Sequence, residues 1–281
     1  MSADSAGRLP SLEDWEDTRD TLHAYAQVIS TIPRALAEPD SRWWHISLKL
    51  NGDLLWTDPM HPRTLDKQQL RLNMDLRNHR INIQVGQEFL ASFEMVTAPS
   101  TAELIGLISK RLEDLGIKAG FAWERVHNDQ PRKYDPDAAE RYLAALKLVH
   151  KAQQETKAVL DGETGPIQLW PHNFDQAFEW FGTREIIQWQ GEKEIRSRVQ
   201  INFGFAPGDE SHTNPYFYSN PWPFDPGFKS LQLASSARWF DGSWQGSILP
   251  YGSLVNDQHA GTSLIEYFLS VFNGTAPLLE G

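Results

Sequence analysis

The sequence predicts an α+β fold: antiparallel sheets covered by helices, arranged as two similar halves. Three observations carry that expectation. Apolar residues recur at helical spacing in several separate stretches, and between them lie runs in which apolar and polar residues alternate. The order helix, strands, helix then returns in the second part of the chain, the pattern that an internal duplication leaves.

The elements follow in order. Trp15, Leu22, Ala26, Ile29 and Leu36 repeat at steps of three, four and seven, an amphipathic helix that Pro33 is expected to bend or end. Trp44, Ile46, Leu48 and Leu50 alternate with Trp43, His45, Ser47 and Lys49. That reads as a strand with one buried face, and Asn51-Gly52 supplies a tight turn. Leu70 to Leu76, Ile81 to Val85 and Phe89 to Met95 alternate as an antiparallel meander, with Met74 and Ile83 buried and Arg71 and Asn73 on a polar face. Ser100 and Glu103 form a capping box for a helix through Leu112, which Gly116 ends.

Residues 118–132 are polar and irregular. They suggest a division into a helix/meander/helix half over 11–130 and an aromatic-rich half over 131–281, packed as one compact unit. Asp135-Pro136 opens a long helix toward Val159. Strand-like runs follow at Ile167 to Trp170, Val199 to Phe205, Leu231 to Leu233 and Ser243 to Leu249. Ser263 and Glu266 then cap a closing helix. The stretch from Phe203 to Phe228, dense in aromatics, proline and glycine, reads as a long ordered loop.

Composition narrows the function. A chain of 281 residues needs no metal or disulfide to fold. Zero cysteines remove disulfides, thiolate metal sites and a cysteine nucleophile, which fits a cytoplasmic setting. Lys+Arg 26 against Asp+Glu 37 gives a net charge of -11. Such a surface repels nucleic acid and anionic membranes, so neither is expected as a partner. Met1 to Pro10 carry no apolar signal region, and no window is apolar enough to span a bilayer. Phosphate loops, dinucleotide fingerprints, nucleophile elbows and His-Glu-x-x-His are all absent.

Trp15-Glu16-Asp17-Thr18 with Thr21-Leu22-His23, Trp43-Trp44-His45, Asn78-His79-Arg80, Tyr134-Asp135-Pro136, Phe174-Asp175 and Leu249-Pro250-Tyr251 resemble, as an ordered set, an uncharacterised bacterial family, domain of unknown function 5996. The resemblance implies a shared fold and a bacterial, cytosolic setting; no catalytic role carries over from it. His172 departs from the family's pattern at Trp170 to Asp175, whereas Asp175 matches it.

The residues themselves offer three sites. Tyr216, Tyr218, Trp222, Trp244 and Tyr251, with Asp175 and Glu210 as polar anchors, suggest an aromatic-lined pocket for a small molecule of unknown identity. Its structural rival is ordinary core packing. His172, Asp175, Glu210 and His212, beside Asp209, suggest a divalent metal and a metal-dependent hydrolase; no other cofactor is evident. A third reading is a non-enzymatic module that binds a protein through exposed aromatics. In the first half, His23, Gln27, Ser30 and Arg34 form a polar stripe at steps of four, three and four. With His45, it points to a second polar pocket or to structural histidines. The oligomeric state is left open.

Overall fold

A computed structural model describes residues 7–191, 193–209 and 212–281. In chain order the elements are α1 (Glu16–Leu36), β1 (Lys49–Asn51), β2 (Leu54–Trp56), β3 (Leu70–Asp75), β4 (Arg80–Val85), β5 (Glu88–Glu94), α2 (Thr101–Asp114) and α3 (Pro136–Val159). They continue with β6 (Glu163–Thr164), β7 (Gln168–Trp170), β8 (Asp175–Gln190), β9 (Lys193–Ala206), β10 (Tyr216–Trp222), β11 (Arg238–Asp241), β12 (Gln245–Pro250) and α4 (Ala260–Glu280). Helices and antiparallel sheets make this an α+β fold, as the patterning predicts. The chain divides into two compact units. One holds Leu12–Ala144 and Gln168–Phe174; the other holds Ala145–Ile167, Asp175–Gly281 and the described part of Met1–Ser11.

In the first unit β1 to β5 form a plain antiparallel meander in sequence order. Gly52, at φ +63, makes the β1–β2 turn that Asn51-Gly52 signals, because only a residue without a Cβ takes that backbone readily. Leu70, Leu72, Met74, Ile81 and Ile83 are buried on one face. The opposite face carries a polar ladder instead of water: Asn82 Nδ2 donates to Asn73 Oδ1 at 2.9 Å, and Ser92 Oγ to Asn82 Oδ1 at 2.7 Å. The expected register therefore holds. A register shift at Ile83/Gln84 pairs Phe89 with Gln84, which turns Phe89 outward against Trp56. Helix α1 buries Leu22, Tyr25, Val28, Ile29 and Ile32, and α2 begins with the predicted Ser100/Glu103 capping box. Pro33 lies within α1 and does not end it; the helix continues to Leu36.

The strand expected from Trp44 is corrected. Trp44–Ile46 is a 3₁₀ turn, Leu48 makes an isolated bridge to Leu169, and the strand starts at Lys49. Local bonds win there: the Ser47 hydroxyl donates to Trp44 O at 2.8 Å, and Asp40 N–H donates to His45 Nδ1 at 3.1 Å.

In the second unit the strand order is β11-β12-β10-β9-β8-β6, dominated by the long β8–β9 hairpin. This order differs from the simple meander, so the suspected duplication is not confirmed. One face of the sheet packs Phe203 against Phe268 of α4 and stacks Phe178 on Phe203. Gln153 of α3 is fully buried and bonded on both sides: its Nε2 donates to Gln176 O and Phe203 O, each at 3.1 Å, and its Oε1 accepts from Gln176 Nε2 at 3.0 Å.

Three further expectations change. The supposed loop through Phe228 contains β10, whose residues alternate across the sheet; Leu231 to Leu233 form no strand; and α4 starts at Ala260, with Ser263 Oγ donating to Asp257 at 2.6 Å. No helix among the described residues is long and apolar enough to cross a membrane.

Candidate functional site

Alternation along β10 decides the aromatic set. Successive strand residues point to opposite faces, so Phe217 and Tyr218 diverge. Tyr251 packs on Phe205 and Phe217 at 5.6 and 5.7 Å and donates its hydroxyl to Pro10 O at 2.7 Å, which makes it a buried prop on the Phe217 face. Tyr218 lies on the other face with Tyr216 and Trp244, at ring distances of 6.2 and 6.0 Å. The expected convergence of Tyr218 and Tyr251 is therefore overturned. Trp222 closes β10 opposite Gln200, half-buried.

Tyr218 donates to Asp175 Oδ2. Burial, reinforced by the neighbouring carboxylate, pushes the Tyr218 phenol well above its ordinary range, so it stays a donor. Its ring lies directly over Gly204, where a Cβ would come within 2.2 Å of Tyr218 Cζ. Burial also pushes the Tyr216 phenol up to about 12. His212 caps this patch, packing against Tyr216 at 5.0 Å and Phe240 at 5.9 Å, and its N–H donates to Asp209 Oδ1.

Of the metal candidates, Glu210 lies outside the described residues. His172 belongs to the first unit and is exposed, whereas Asp175 and His212 belong to the second. Among the described residues, no group of His, Asp and Glu side chains is gathered in the number a metal ion needs.

A distinct pocket of about 200 Å³ lies along α1 in the first unit. Gln27, Ser30, Thr31 and Arg34 follow one another at i, i+3, i+4 and i+7, which sets them on a single helical face. Ala122, Arg125 and Val126, around the 3₁₀ turn Trp123–Arg125, form a second wall. Thr101 Oγ1 holds that turn by donating to Val126 O at 2.7 Å. Pro171 and His172 complete the lining. Their segment is anchored by the Leu48/Leu169 bridge, by the 2.6 Å hydrogen bond between Ser47 Oγ and the Gln168 side-chain amide, and by Phe174, whose ring stacks on His23 and Tyr142.

The donors of this pocket can be assigned. His23 Nε2 lies 3.0 Å from Pro171 O and 3.1 Å from the Gln27 amide. A carbonyl oxygen only accepts, so Nε2 carries the proton and donates to it. Burial lowers the His23 pKa, keeping the ring neutral near pH 7. Thr31 satisfies its hydroxyl within the helix by donating to Gln27 O at 3.0 Å. Ser30 does not: its hydroxyl is buried, lines the pocket and has no hydrogen-bond partner. Arg34 rests over the Trp43 ring at 5.2 Å, and neither Arg34 nor Arg125 meets a carboxylate among the described residues.

Sequence periodicity shows the α1 stripe, and His23 proves to brace it. His45 accepts from Asp40 N–H and is not part of the pocket lining. Arg125 is the residue missed. It sits in a stretch without periodicity, and its only local signal is the pair of aromatics Phe121 and Trp123 before it.

The fold and these features define an α+β protein with a small polar pocket and no recognisable catalytic constellation among the described residues. A family model described as a family of unknown function matches residues 8–280. The chain belongs to that family, DUF5996. Comparison with curated proteins and with solved structures returns no match.

Proposed function

We propose that this protein binds a small molecule in the pocket along α1. The observation that carries the reading is the Ser30 hydroxyl, buried in the pocket wall without a partner. An unmet buried hydroxyl costs about 1–3 kcal/mol. Helix α1 sustains that cost, since each fully buried Leu, Val or Ile on it contributes roughly 1.5–3 kcal/mol. A bound ligand that accepts from Ser30 would remove it. Thermal melts against a library of small metabolites test the proposal: compounds that raise the melting temperature should lose their effect in Ser30→Leu, whose side chain fills the space. Stabilisation undiminished by Ser30→Leu sinks it.

A second reading keeps the aromatic face of the other unit as a ligand site, with Tyr216, Tyr218 and Trp244 beside Asp175. The Tyr218–Asp175 hydrogen bond favours it, because a carboxylate held among aromatic rings offers directional binding. Under this reading Tyr218→Phe weakens a ligand that Ser30→Leu leaves unaffected. A Tyr218→Phe variant that loses only stability assigns the pair to structure.

A further inference from the structure

We infer that the ligand of the α1 pocket is a small oxyanion, a carboxylate or a phosphate ester on a compact apolar body. The inference rests on the reading of this pocket as a ligand site and adds the chemistry that the site selects. Both arginines that line it are permanent donors. Arg34 and Arg125 contribute guanidinium forks, which match the paired oxygens of carboxylates and phosphates. Ser30 contributes an unused hydroxyl. No Asp or Glu lines the pocket, although acids outnumber bases in the chain, 37 against 26. A cationic ligand would therefore meet like charge and no acceptor of opposite sign.

Size and lining restrict the body of the ligand. A volume of about 200 Å³ equals the liquid volume of roughly six or seven waters at ~30 Å³ each. Ala122, Val126 and Pro171 give the walls between the polar groups an apolar character, suited to a short carbon chain. The arginines are exposed on the rim, so they capture charge without being buried unpaired, whereas Ser30 lies deep.

Amide ¹H–¹⁵N spectra of the full chain, titrated at constant ionic strength, test this. The probes are butyrate, inorganic phosphate, butyramide as the neutral isostere, and butylammonium. Butyrate or phosphate should shift the signals of residues 27–34 and 122–126, and whichever binds more tightly identifies the oxyanion. Butyramide should bind at least tenfold more weakly, and butylammonium should not shift these signals. Arg125→Gln and Arg34→Gln should each weaken the anion about tenfold or more, with Arg125→Lys intermediate because charge remains while the fork is lost. Butyramide binding as well as butyrate at these residues overturns the anion inference and leaves the pocket a ligand site. Anion shifts that persist in the Arg34→Gln/Arg125→Gln double variant also overturn it. Silence of all four probes, together with a metabolite library that produces no Ser30-dependent stabilisation, overturns both readings.

Discussion

Two concavities, one in each unit, differ in a way that volume alone would misjudge. The groove beside α4, lined in part by Asp161, Glu163, Trp180, Arg198 and Glu280, has about 400 Å³, twice the roughly 200 Å³ of the α1 pocket. Several of its polar groups already have partners. Arg198 pairs with Glu163, Trp180 Nε1 donates to Asp161 O at 2.6 Å, and Glu280 accepts from Thr183 N–H at 2.6 Å and Arg184 N–H at 3.1 Å. The α1 pocket holds an orphan hydroxyl and two arginines without carboxylates among the described residues. Space says where a molecule fits, while unmet donors say that something is missing.

That contrast can be broken by mutation. The largest effect is expected where polar groups are fully paired: Gln153→Ala leaves Gln176 and two buried carbonyls without their partner and should cost about 2–4 kcal/mol in urea denaturation. Butyrate affinity at the α1 pocket should be unchanged, and a variant as stable as the parent would contradict the account of the network. An intermediate effect is expected from pH. Burial lowers the pKa of His23, His45 and His150, so the unfolded chain takes up protons that the native chain refuses. Their contribution to stability is complete above the unfolded value near 6.5 and is lost as pH falls through the depressed native values. Denaturation at pH 7.5 and 5.5 should show the fall, and His23→Gln should reduce it; equal stability at both pH values would refute the assignment.

The smallest effect on stability is the most telling. Ser30→Ala removes a hydroxyl that bonds to nothing, so stability should stay level or rise by up to about 1 kcal/mol while ligand affinity drops. A loss of 1 kcal/mol or more would mean that Ser30 is structural, and the contrast between the two concavities would disappear.

Much of the first unit is legible in the sequence because its elements are amphipathic. Leu70 to Val85 alternate since one face is apolar and the other carries the Asn73–Asn82 ladder, and Ser100-Glu103 and Asp135-Pro136 mark helix starts through local chemistry. The stripe from His23 to Arg34 is visible for the same reason. The second unit hides its strands. Near its start β8 buries adjacent residues, Ala177 with Phe178 and Trp180 with Phe181, so alternation fades, and a register shift between Phe181 and Glu185 removes what remains. In β10, Tyr216 and Phe217 are both buried, and Pro221 reads as a loop residue although it pairs opposite Ile201. Arg125 and Pro171 reach the pocket only through tertiary structure, which no spacing encodes.

Residues 168–174 join the first unit although residues 145–167, which precede them in the chain, belong to the second. Synthesis runs from the N-terminus, and domains tend to fold as they emerge. When Ala144 leaves the ribosome, the first unit still lacks Gln168–Phe174. Until that segment arrives, His23 has no Pro171 carbonyl, the Leu48 backbone has no bridge, and Tyr142 has no Phe174 to stack on. The first unit is thus incomplete until residues 168–174 arrive, and the pocket along α1, walled in part by Pro171 and His172, is finished only then.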